Sequence, residues 1–262
     1  MPGAGHIRGA IDGGPLKGGA PRVVWLALGA DPRTVSARSA AQRLGQLGRA
    51  CHLVWNPIHG EVVQLIPILR AGRSLGWPDG PNQMAPLRPD AGTLVGPMQR
   101  GAAACAAGGM AGKVIAEVNA EGRVCVQICV VSFAWDPFTS LPMRGHQQIL
   151  DWLDCWGIPR QWPAGQPAPF PLGHATCRDR RLWARGGHFG ASQVPDLTDT
   201  GPGALDVELL IGRPVRAAAR AGRMPAGAPG EGVLATASGI RELGDYFDND
   251  AAATAGALSR AG

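Results

Sequence analysis

Three short apolar runs set the limits on what this chain can fold into. They are RVVWLAL at 22–28, EVVQLI at 61–66 and RVCVQICVV at 123–131, each rich in β-branched residues. Runs this short with that composition read as buried strands rather than helices. Helical signals lie between and after them. Asp31-Pro32 offers an N-cap with proline in the first turn, so residues 34–47 are expected to form a helix ended by Gly48. Ser140-Leu141-Pro142 is expected to open a second helix that carries Ile149, Leu150, Leu153 and Trp156 on one face and stops at Gly157. Residues 51–55 and 61–66 should pair as a hairpin through the turn Asn56-Pro57-Ile58-His59-Gly60. Shorter helical segments are expected at 178–185 and 204–211, with a loop at 187–203 between them. Strands alternating with helices give an α/β class, with a mixed central β-sheet flanked by helices.

The rest of the chain is punctuation. With 39 Gly and 23 Pro in 262 residues, long loops are expected. Residues 1–20 are Gly-rich and read as a flexible N-terminal segment. One domain is expected over 21–212, interrupted by a Pro-, Gly- and Ala-rich insertion at about 77–118. Residues 213–262 read as a linker and C-terminal tail, with one helix at 233–247.

Charge and cysteine usage exclude several classes. The net charge of +5 is unevenly spread, with basic groups gathered in residues 1–50 and 213–223 and an acidic end, but no basic run is interleaved with aromatics, so nucleic acid is not expected as a partner. The six cysteines show no CxxC pair and no metal-ligand spacing, which argues against a disulfide framework. No 18-residue apolar run exists, so no membrane span is expected. The first 20 residues lack the apolar stretch of a signal peptide. The expectation is cytoplasmic synthesis, with release by another route if the protein acts at the cell wall.

Three segments carry a family likeness. His52-Leu53-Val54-Trp55-Asn56-Pro57 is followed by Gly60-Glu61-Val62-Val63-Gln64-Leu65-Ile66-Pro67. Gly187-His188-Phe189-Gly190-Ala191-Ser192-Gln193-Val194-Pro195 precedes Pro202-Gly203. Asn119 and the strand from Gly122 to Ile128 lie between them. In this order they resemble the zinc-dependent N-acetylmuramoyl-L-alanine amidases of actinobacteria and their phages, which include endolysins that cut peptidoglycan. The resemblance implies a fold like that of peptidoglycan recognition proteins, with a groove for a muropeptide.

The same resemblance implies where a zinc ion would sit. A catalytic zinc needs three protein ligands and an open position for water, whose pKa it lowers. The family's ligand positions fall here on Leu26, Ala191 and Gly201, none of which has a side-chain lone pair. The acidic residue that often follows the first ligand corresponds to Gly29, and the tyrosine before the hairpin histidine to Cys51. No zinc or other cofactor is therefore expected, and no catalytic residue is retained. Trp25, beside the first vacated position, and Trp77 could stack on sugar rings. Trp25, His52, His188, Ser192 and Gln193 are the expected substrate-binding residues. A metal site rebuilt from His52, His188 and Asp199, with Asp196 near the vacated place, is the route by which an active amidase would survive. The leading expectation is a peptidoglycan- or muropeptide-binding pseudoenzyme. The alternatives are that working amidase with rearranged ligands, and a structural or phage-particle scaffold.

Overall fold

A computed structural model describes residues 1–76, 117–136, 138–170, 172–197 and 201–212 of the chain. Most of the expected insertion, Trp77, Asp199 and the tail after residue 212 therefore lie outside the described residues.

The strands are β1 (Gly5–His6), β2 (Arg22–Ala27), β3 (Leu53–Asn56), β4 (Glu61–Gln64), β5 (Cys125–Val130) and β6 (Gly187–Gly190). They form one six-stranded mixed sheet in the order β1-β4-β3-β5-β2-β6. β2 lies between β5 and β6 and runs parallel to both. β3 joins the other side of β5, also parallel, and its hairpin with β4 is the antiparallel element. The expected α/β class and the hairpin hold. Among the described residues, no helix is long and apolar enough to cross a membrane.

Every residue of β2 and β5 is buried, as expected for strands covered on both faces. Alternation along β2 sends Val24 and Leu26 to one face and Val23 and Trp25 to the other. The first face packs Cys129, Val54, Val63 and Phe189 against helix α1 (Ala37–Gln46) through Ala37, Ala40, Ala41 and Leu44. The second packs Leu53, Trp55, Val126 and Ile128 against helix α2 (His146–Cys155) through Ile149, Leu150 and Leu153. Two short helices complete the layers, α3 (Arg180–Trp183) and α4 (Val207–Leu210). Each fully buried Leu or Val contributes about 1.5–3 kcal/mol relative to exposure.

Several boundaries move for identifiable reasons. Helix α1 starts at Ala37 with Ser36 as its N-cap, while Asp31 closes a separate turn by accepting from the Arg33 amide at 2.9 Å. The Glu61 carboxylate in β4 accepts from the amides of Ala37 at 2.7 Å and Arg38 at 3.2 Å, satisfying two first-turn donors from a distant strand. Residues 138–140 form a 3-10 turn, and α2 begins only at His146. The Gly-rich segment 1–20, expected to be flexible, is tied down: β1 pairs with β4, Pro15 bridges Arg70 and Gly18 bridges Gly122. Asp12 holds Arg70 through two bonds of 2.9 Å. The expected loop at 187–203 begins as the edge strand β6.

Candidate functional site

The positions matched to metal ligands converge at the C-terminal ends of β2 and β6. Trp25 pairs with Gly190, so Leu26 and Ala191 each lie one residue beyond that pair. They are 1 % and 0 % exposed and belong to one apolar cluster with Val194 and Leu197. A Cβ placed on Gly190 would lie 3.5 Å from the Pro202 carbonyl, so the 201–203 segment reaches the same strand end. Gly201 is buried, and its bond to Pro202 is cis. Leu26 thus meets the late segment that carries Ala191 and Gly201, and the three positions have hydrocarbon or nothing as their side chains. That set has no donor atom for a zinc ion.

Could neighbouring histidines supply a metal site? His52 enters β3 and His188 lies in β6, with β5 and β2 between them in the sheet. Three strand spacings amount to roughly 14 Å, too far for a shared metal with ligand bonds of about 2 Å. Asp196 forms an ion pair with Arg180 at the surface. Among the described residues, no three His, Cys, Asp or Glu side chains gather into a metal-ligating group.

The five expected substrate-binding residues are packed into the interior, which corrects their expected place on a groove wall. Trp25, His52, His188 and Ser192 are fully buried and Gln193 is 1 % exposed. Trp25 lies on the sheet face opposite Leu26, stacked on His188 at 6.0 Å and edge-on to Trp55 at 6.2 Å. It donates its indole N–H to His188 Nδ1 at 3.2 Å. His52 accepts from the Gln127 amide at Nδ1, 3.0 Å, and its Nε2 reaches the Arg70 carbonyl at 2.9 Å. Gln193 accepts from Trp162 Nε1 at 2.7 Å and from the Gly190 amide at 3.0 Å, and donates to the Gly165 carbonyl at 2.7 Å. These side chains fasten loops to the sheet.

Electrostatics follow from that burial. Desolvation lowers His188 to about 3, with His146 pushing the same way. His52 is lowered to about 4, again by desolvation, partly opposed by its bond to the Arg70 carbonyl. Both rings are neutral at physiological pH. With Nδ1 of each ring accepting a hydrogen bond, the proton belongs on Nε2. His188 Nε2 and Ser192 Oγ are buried with no partner among the described residues.

Asn56 shows how a motif residue is used. Its amide nitrogen donates to the carbonyls of Pro32 at 2.8 Å and Val35 at 2.9 Å. Its oxygen accepts from the Ile58 and His59 amides. Trp55 donates to the Arg144 carbonyl at 2.9 Å. Much of the His52–Pro57 motif is therefore structural, setting the hairpin and the entry to α1.

Sequence reading did not single out the aromatic ledge beyond β5. Phe133 and Trp135 stack at 4.6 Å with planes 16° apart, and Phe170 stands at 6.2 Å from Trp135, inclined by 58°. Trp135 is 59 % exposed. The only signal in the sequence was a Trp-Asp-Pro stretch directly after a buried strand, and that alone does not distinguish an exposed ring from a core one. In comparisons with known proteins, no family model, curated protein or solved structure matches this chain.

Proposed function

We propose that this chain is a non-catalytic peptidoglycan-binding protein with an amidase-like fold, of the kind seen in peptidoglycan recognition proteins. The observation that carries the non-catalytic part is the burial of Leu26 and Ala191 in one apolar cluster. Hydrolysis of the lactyl amide needs an activated water beside a polarised carbonyl. A site closed by Leu and Ala supplies neither a metal donor nor room for that water. The peptidoglycan part is supported by the three motif segments and their order in the chain. Their residues hold the hairpin, the central strand and the late strand in one sheet.

A second reading, a scaffold that uses the fold for protein contacts alone, is favoured by one observation: the residues expected to line a groove are buried. Co-sedimentation with purified sacculi, run beside an assay for released stem peptides, separates the readings. Retention on sacculi with no peptide release is the expected result. Absence of retention hands the function to the scaffold reading, and peptide release restores the enzyme.

A further inference from the structure

We infer that the ledge formed by Phe133, Trp135 and Phe170 is the surface on which a sugar ring of a glycan strand stacks. This rests on the peptidoglycan-binding reading above and moves its contact from Trp25 to a different aromatic group. Phe133 lies flat against one face of the Trp135 indole, at 4.6 Å and 16°, and so fixes the plane of the exposed ring. Phe170, inclined by 58°, makes a side wall. A flat ring bounded by an inclined one matches the apolar C–H face and the edge of a pyranose.

The polar groups suit the same ligand. Trp25, Trp55, Trp162 and Trp183 donate their indole N–H groups to His188, Arg144, Gln193 and Glu121. Trp135 has no acceptor among the described residues, and it alone of the described tryptophans is exposed. The next residue, Asp136, is exposed as well. An open ring face, a free donor and a neighbouring carboxylate are what a hydroxyl-rimmed sugar requires.

Position adds a third argument. Residue 135 follows the C-terminal end of β5, and β5 runs parallel to β2, so the ledge lies toward the end of the sheet where β2 finishes just after Leu26. A Cβ on Gly203 would lie 3.0 Å from the Phe170 amide, which ties the ledge to the 201–203 segment. The edge beyond the carboxyl ends of parallel strands is where α/β sheets hold ligands. The ledge therefore borders the three convergent positions from outside.

The test compares wild type, Trp135→Ala and Trp135→Phe for binding to purified sacculi and to an N-acetylglucosamine hexamer. Because Trp135 is exposed, all three should share one melting temperature. The expected result is about a tenfold loss of affinity for both probes with alanine and substantial retention with phenylalanine. Equal binding by wild type and Trp135→Ala overturns the ledge while leaving the peptidoglycan reading intact. If wild type binds neither probe, both fall. If instead wild type self-associates and Trp135→Ala is monomeric, the ledge is a protein contact and the inference is wrong.

Discussion

Acidification between pH 7.5 and pH 5 should cost this fold several kcal/mol, and the structure says which side chains are responsible. His188 and His52 are buried and neutral, lowered to about 3 and about 4. In the unfolded chain both return to a pKa of about 6.5. Below that value the unfolded state takes up protons that the folded state refuses, so stability is full above about pH 6.5 and falls as pH drops. At pH 5 the unfolded rings lie about 1.5 units below their pKa, at about 1.36 kcal/mol per unit. Each histidine then costs about 2 kcal/mol, and the pair about 4 kcal/mol. Since pH 5 is above both folded values, the cost depends on the unfolded pKa alone. His146, also lowered by burial, adds in the same direction. The assay is urea unfolding at the two pH values, with His188→Gln and His52→Gln beside wild type. Each variant should lose about 2 kcal/mol of the pH dependence, whatever it does to absolute stability. Unfolding free energies that agree at the two pH values would refute the argument. Asp12, whose carboxyl is held low chiefly by its bond to Arg70, destabilises the fold on protonation only below the ordinary carboxylate range and does not confuse this window.

Further outcomes follow from the same packing. Protein purified with added zinc should carry far less than one equivalent by elemental analysis, and chelators should leave its melting temperature unchanged. Stoichiometric zinc would refute the absence of a metal site. The combined variant Leu26→His, Ala191→His and Gly201→Asp should gain zinc, because the three positions already meet at one strand end; a variant that folds and takes up none would break the positional match to the family. Glu61→Ala removes the carboxylate that caps α1 at 2.7 and 3.2 Å and should cost about 1 kcal/mol in denaturant unfolding. Gly72→Ala would place a Cβ 2.2 Å from the Gln127 side-chain oxygen, which accepts from the Ser74 amide. Breaking that buried bond should lower stability by about 1–3 kcal/mol, and an unchanged melting temperature would show that the loop yields freely.

What could be seen in the sequence was what is local. The buried runs at β2 and β5, the hairpin turn and the apolar face of α2 are each written in consecutive residues, and the structure has them. Asp31-Pro32 is a good start signal and points to a helix beginning earlier than α1 does. The actual start is decided by Ser36 and by Glu61 reaching over from β4, a tertiary contact with no local trace. The sequence of β6 reads as loop for a similar reason. Four residues bounded by glycines become a strand only because β2 offers a parallel edge. The candidate site divides the same way. The absence of a metal-ligating side chain at Leu26 and Ala191 is visible from residue type alone. That Trp25, His52, His188 and Gln193 turn inward depends on the faces of the sheet and on loops folding back over them, and their polarity suggested the opposite.

The position of β2 between β5 and β6 also bears on how the chain must be made. Arg22 waits for Cys125 on one side and for Gly187 on the other. At roughly 5–20 residues per second, a ribosome takes on the order of ten seconds or more to deliver the second partner after the first strand has been synthesised. Until β5 is made, β2, apolar in all but Arg22, has neither of its sheet neighbours, and it lacks β6 to the end of the interval. The first hairpin can form early, the centre of the sheet closes when β5 arrives between β3 and β2, and β6 adds the last edge. A chain that stalls before residue 187 leaves one edge of β2 open to pairing with another copy of itself.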